Sequence, residues 1–253
     1  MAATGDILAF LDELLIPEQF EDYGPNGLQV PGPGQVETVV TGVSGQLALF
    51  EQAASLGAQL IIVHHGILWD FHPRRISSEQ AARLTTLLCG GIALAAYHLP
   101  LDAHPSHGNN ALIASGLGCV EMTPFGLHRG RAIGVAGRFP GRGVPASELI
   151  ERVHSLTDRE PLLQGNGPEL VRSIGIVSGA GADSMAQAVA GELDAFLTGE
   201  PREHVMADAS ESGIHFIAAG HYATETFGVR RLGELVAERF GVKHVFVDIP
   251  NPV

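Results

Sequence analysis

The chain has 253 residues, is 45% hydrophobic and 17% charged, and carries a formal net charge of −13. These values describe a globular chain with ample core, exclude a disordered one, and argue against a nucleic-acid-binding surface, which is normally basic. Cys89 and Cys119 lack CxxC spacing, so neither a disulfide framework nor a zinc finger is indicated, and a reducing, cytoplasmic setting fits.

In chain order, Asp6, Asp12 and Glu13 lie among apolar residues. The spacing predicts an amphipathic helix over residues 6–15, capped by Thr4, with Ile7, Leu8, Leu11, Leu14 and Leu15 as its buried stripe. A signal peptide would want a basic start instead. No apolar run approaches the roughly 20 residues of a membrane span. Residues 22–34, rich in Gly, Pro and Asn, read as a loop. A strand over 36–43 and a helix over 46–56 lead to the strand 59–65, whose Leu60-Ile61-Ile62-Val63 run suits a sheet covered on both faces. That strand ends in His64-His65, and alternation along it could direct the two imidazoles to separate metals. A helix over 79–88 and a strand over 92–97 follow, ending in His98-Leu99-Pro100-Leu101-Asp102. Gly108-Asn109-Asn110 then opens a short helix towards Leu117. This βαβαβ rhythm implies parallel strands with helical crossovers.

Residues 126–168 change character and read as a small Gly-rich subdomain or connection, with a strand over 133–139 and a helix over 146–156, between an N-terminal lobe, 1–125, and a C-terminal lobe, 169–253. Arg129, Arg131, Arg138 and Arg142 concentrate there, as a solvated surface or as an anion clamp. From Val171 the alternation resumes. Strands over 173–177, 193–197 and 214–219, with helices between them, repeat the first rhythm, and a helix to Phe240 and a strand over 244–247 finish it. The third strand of each series runs into His-x-x-x-acid: His98 with Asp102, and His221 with Glu225. The expectation is an α/β fold of two related βαβ-type lobes, mostly parallel, facing a shared cleft.

His64, His65, His98, Asp102, His221 and Glu225 therefore gather at strand ends, where open α/β sheets bind ligands. A mixed nitrogen and oxygen donor set suits Zn, Mn, Fe, Co or Ni, and is too nitrogen-rich for Mg or Ca alone. It is large enough for two divalent ions, with Asp102 or Glu225 as a bridge. His98 is also a candidate general base. His72, His104, His107 and His128 fall in loops, and His154, His204, His215 and His244 read as structural.

The order Asn26-Gly27-Leu28-Gln29-Val30, Val63-His64-His65-Gly66, His98-x-x-x-Asp102, Gly108-Asn109-Asn110, Thr198-Gly199-Glu200 and Gly220-His221-x-x-x-Glu225 resembles the dinuclear-metal family called GTP cyclohydrolase 1 type 2 homologs, or NGG-interacting-factor-three-like proteins. The resemblance runs from about residue 7 to residue 250, the extent of the compact bacterial form. It implies that His64, His65, Asp102, His221 and Glu225 ligate two metals, with Glu225 the bridge and His98 a close neighbour, inside a toroidal homohexamer. Gly45-Gln46 stands where the family often has an aspartate, and Gly66 where it has proline.

Three functions fit: a metal-dependent hydrolase of a nucleotide or related heterocycle, a phosphoesterase at the same metals, or a non-catalytic metal-binding adaptor. The first expects a small-molecule substrate, with neither nucleic acid nor membrane as partner.

Overall fold

The computed structural model describes residues 1–253. The chain forms two structural units, residues 1–101 with 228–249 and residues 102–227 with 250–253. In the first, five strands lie in the order Lys243–Phe246, Thr38–Ser44, Leu60–His65, Ala93–Ala96, Gly27–Val30. The first four are parallel and the last is antiparallel. Ile61 and Val63 pack with Val40, Leu94 and the helix residues Leu49, Phe50, Ala53 and Leu87. The intervening Leu60 and Ile62 are fully buried as well. With both faces covered, the strand is continuously aliphatic and does not alternate.

Strand Gly27–Val30 lies inside the stretch expected to be a loop. Its four residues are too few to show a period, and its pairing with Ala93–Ala96 shifts register between Leu28 and Val30. Helix Thr4–Leu15 starts without a side-chain cap. The Thr4 hydroxyl donates instead to the Pro33 carbonyl, 2.5 Å away.

His244 is structural, as expected: its Nε2 lies 2.8 Å from Thr41 Oγ1, a buried hydroxyl in the neighbouring strand. Gly233, on helix Thr226–Phe240, gives that imidazole its room, because a Cβ there would fall on the ring. Gly233→Ala gains up to about 1 kcal/mol of helix propensity, but overpacking costs about 1–3 kcal/mol and the Thr41 contact is disturbed. A net loss of about 1 kcal/mol, read as a lower urea midpoint at unchanged slope, is the expected result.

The second unit has six strands, in the order Leu162–Gly165, His215–Ala218, Ala195–Thr198, Ser173–Val177, Arg131–Arg138, Glu121–His128. Its three consecutive strands, Ser173–Val177, Ala195–Thr198 and His215–Ala218, are parallel. They keep the order and direction of Thr38–Ser44, Leu60–His65 and Ala93–Ala96 in the first unit. Antiparallel strands are added on both sides of this trio, so the second sheet is mixed. Ile174, Ile176, Leu197 and Ile217 face one core, and Val177, Phe196, Phe216 and Ala218 face another.

These pairings move the expected boundaries. Residues 126–168 are not a separate subdomain: they supply strands on both sides of the parallel trio, and Leu149 and Val153 of helix Ala146–Thr157 join the core on one face. The final strand pairs with Thr38–Ser44 and belongs to the first unit, not to a C-terminal lobe. Strand Glu121–His128 was not expected, since Pro124 interrupts it and its apolar Met122 and Leu127 are exposed. Both features suit the edge of a sheet. The hairpin closes at Arg129-Gly130, both with positive φ, the signature of a two-residue turn matched to strand twist. Arg129, Arg131, Arg138 and Arg142 are exposed. No helix is long and apolar enough to cross a membrane.

Candidate functional site

In the first unit the chemistry collects at the ends of two adjacent parallel strands. Ser44 is the register partner of His65, and Val63 of Ala96, so His64, His65 and His98 emerge side by side. Their ring nitrogens lie within 4.8 Å of one another, close enough to share an ion. Alternation sets only Cβ directions, and the rings of His64 and His65 come to a centroid distance of 4.7 Å.

Each imidazole is held at Nδ1. His64 is fully buried and its Nδ1 donates to the Tyr97 carbonyl at 2.9 Å. His65 Nδ1 lies 3.3 Å from Ser44 Oγ, and His98 Nδ1 lies 2.6 Å from Asp22 Oδ1. A carbonyl can only accept, so it fixes the His64 tautomer with the lone pair on Nε2, the atom a metal takes.

The Asp22–His98 pair is built from the loop before Gly27–Val30. Asp22 also accepts from the Leu99 amide at 3.0 Å, from Asn26 Nδ2 at 2.8 Å and from its neighbour's Tyr23 amide at 2.7 Å. Asn26 Oδ1 in turn takes the His98 amide at 2.7 Å. Burial pushes the Asp22 carboxyl up, but the hydrogen bond and charge of His98, with the Asn26 and Tyr23 donors, outweigh it and hold it down at about 2. Gln29 steadies the loop beyond His65, its Oε1 accepting the Ile67 amide at 2.8 Å. Gly45 contributes only backbone, its N–H donating to the His65 carbonyl at 2.6 Å.

In the second unit Asp102, His221 and Glu225 come together. Asp102 and Glu225 are buried, with carboxylate oxygens within 4.8 Å of each other. His221 and Glu225 are one helical turn apart, spanning helix His221–Thr224 and its cap, with Nε2 3.1 Å from Oε2. His221 Nδ1 is held by Glu200. Burial lowers the His221 pKa, but Glu225 and then Glu200 raise it further, to about 9. Asp102 Oδ1 accepts from Asn109 Nδ2 at 2.8 Å and from Ser178 Oγ at 3.1 Å. Asn110 Oδ1 takes the Ser178 amide at 2.7 Å. Gly179, at φ 61°, lies where a Cβ would run into the Glu225 carboxylate.

Imidazoles anchored at their second nitrogen, and carboxylates with their own donors, are the surroundings that metal ligands require. The donor types fit first-row transition ions or zinc.

A profile of the Duf34/NIF3 family, NGG1p interacting factor 3, matches residues 2–252. The chain belongs to the Duf34/NIF3 family. Among similar NIF3-family relatives, the GTP cyclohydrolase 1 type 2 homolog of Vibrio cholerae is 40% identical over 248 residues, covering 97% of each chain. That of Pseudomonas aeruginosa is 41% identical over 250 residues, covering 99% of this chain and 98% of its own. The solved structure of protein ybgI, of unknown function, superposes with a TM-score of 0.93 at 38% identity over 100% of both chains.

For this Duf34/NIF3 chain, sequence reasoning named the histidines and acids but assigned no role to Asp22, Asn26, Glu200 or Ser178. Asp22 lies 76 positions from His98, and Glu200 lies 21 from His221. Periodicity carries no signal over such separations. Of the remaining histidines, His215 is structural, its Nε2 donating to the Pro168 carbonyl at 2.9 Å. His104 and His107 stack on each other at 4.8 Å.

Proposed function

We propose that this chain is a dinuclear-metal-dependent hydrolase acting on a nucleotide or a related heterocycle. Its proposed ligands are His64, His65, Asp102, His221 and Glu225, holding two divalent ions from among zinc, manganese, iron, cobalt and nickel. Such ions, when bound, supply Lewis acidity and lower the pKa of water. The chain's own residues then hold and move protons. His98, oriented at Nδ1 by Asp22, offers Nε2 as general base, and the Asp22 carboxylate stabilises the imidazolium that results.

The observation that carries a catalytic reading over a purely structural metal site is this Asp22–His98 pair beside His64 and His65. The relatives' name, GTP cyclohydrolase 1 type 2 homolog, supports the nucleotide class. The reading includes a cytoplasmic homohexamer, which light scattering would register at about six times the 26.6 kDa chain mass.

The test is metal analysis of the purified protein, followed by turnover of a panel of nucleotides, phosphoesters and cyclic amides with and without added metal. About two ions per chain and metal-dependent ring opening are expected. Phosphate release without ring opening would favour the phosphoesterase. Full metal loading without turnover on the whole panel would favour the adaptor.

A further inference from the structure

The segment between His65 and helix Ser78–Gly90 has no part in holding the histidines, yet it concentrates aromatic and cationic side chains. Trp69 adjoins the cluster, its ring 5.2 Å from that of His98 in an edge-on arrangement and 6.0 Å from that of His65. Phe71 stacks on Trp69 with centroids 5.6 Å apart and planes 20° from parallel. Phe71 is 68% exposed, a large area to leave in water unless something covers it. Trp69, Asp70, Arg74 and Gln80 line a cavity of about 320 Å³. That volume falls in the range of small-ligand clefts, about 300–1,000 Å³.

We propose that this segment is the recognition wall for a phosphorylated planar heterocycle, a nucleoside monophosphate unit, with Trp69, backed by the stacked Phe71, taking the ring and Arg74 the phosphate. The inference rests on the reading of the His64–His65–His98 cluster as part of the reactive centre. Aromatic rings give a base an apolar, sequence-tolerant π-face, and a guanidinium matches phosphate geometry. Asp70 and Gln80 add an acceptor and an amide for the polar edge of a base. Of the lining residues, Trp69 is the one whose ring packs on the histidines. The heterocycle therefore faces the reactive groups and the phosphate lies outward at Arg74. The bond broken is then a ring carbon–nitrogen bond, with water adding its hydroxyl to the carbon and its proton passing to the departing nitrogen, which separates a cyclohydrolase-type reaction from a phosphoesterase.

Trp69 is the only tryptophan in the chain, so its fluorescence reports this wall alone. Full-length protein as purified is titrated with GMP, guanosine and ribose 5-phosphate. Quenching by GMP and by guanosine, and none by ribose 5-phosphate, is expected. Phe71→Ala, which removes the ring that holds Trp69 in place, weakens both active ligands by about tenfold, the size of one lost stacking contact. Arg74→Gln weakens GMP by a similar factor and leaves guanosine unchanged. Trp69→Leu, followed by calorimetry, loses affinity for both.

No quenching by GMP at millimolar concentration overturns the proposal. So do affinities unchanged by Phe71→Ala and Arg74→Gln, the result if phosphate were captured only by metal. A shift to smaller oligomers in Phe71→Ala, with nucleotide affinity intact, would assign the patch to contact between copies and overturn it too. Quenching without turnover keeps this inference and removes the hydrolase. Turnover with KM unchanged in the three variants keeps the hydrolase and removes this inference.

Discussion

Glu225→Gln is expected to fold normally, to lose at least one metal ion, and to lose turnover by about 100-fold or more, since even outer partners of metal ligands are worth about 10–100-fold. The fold survives for an electrostatic reason. Glu225 is buried beside Asp102, and two carboxylates with oxygens within 4.8 Å repel when both are ionised. The neutral amide removes that repulsion at almost the same volume but also gives up the negative charge 3.1 Å from His221 Nε2, so the two effects oppose each other and the metal-free variant should melt close to metal-free wild type. Metal binding to the native state raises stability by mass action, about 2.7 kcal/mol at 100 times the dissociation constant. Wild type should show this rise in melting temperature on adding metal, and Glu225→Gln should show little of it. Equal metal content in the two proteins, by elemental analysis after desalting, would remove Glu225 from the ligand set.

Asp22→Asn tests the His98 assignment, and its diagnostic is a split between rate and metal content. The Asp22 carboxylate accepts hydrogen bonds from His98 Nδ1, the Leu99 amide, Asn26 and the Tyr23 amide. An asparagine keeps one acceptor oxygen and sets an NH2 against donors, which costs about 1–3 kcal/mol in a buried position. The His98 ring then loses both its orientation and the charge that stabilises its protonated form. A fall in kcat of about 100-fold or more is expected, the range in which a positioned general base contributes, with two ions still bound. Loss of metal in step with activity would instead make His98 a ligand.

How much of this was legible in the sequence depends on the range of the interactions concerned. The aliphatic run before His64 and His65 announced a strand covered on both faces, and the structure buries Leu60, Ile61, Ile62 and Val63 completely. The repeated His-x-x-x-acid past a buried strand was legible too; His221 and Glu225 meet across one helical turn, whereas His98 turns to Asp22. Both signals are local, carried by residues a few positions apart whose geometry the backbone fixes. The family was legible for the same reason, because its motifs come in short blocks.

Tertiary structure alone decided what stands behind those side chains and where the units divide. Asp22 reaches His98 and Glu200 reaches His221 only because strands distant in sequence become neighbours. Strand Lys243–Phe246 returns to pair with Thr38–Ser44 and makes the first unit discontinuous. The Gly-rich stretch holds the strand and helix its pattern shows, but its strands join the second unit's sheet, because strand pairing is a contact between remote segments that no single segment encodes. Local pattern thus pointed to the candidate residues, and long-range hydrogen bonding decided the orientation each is given.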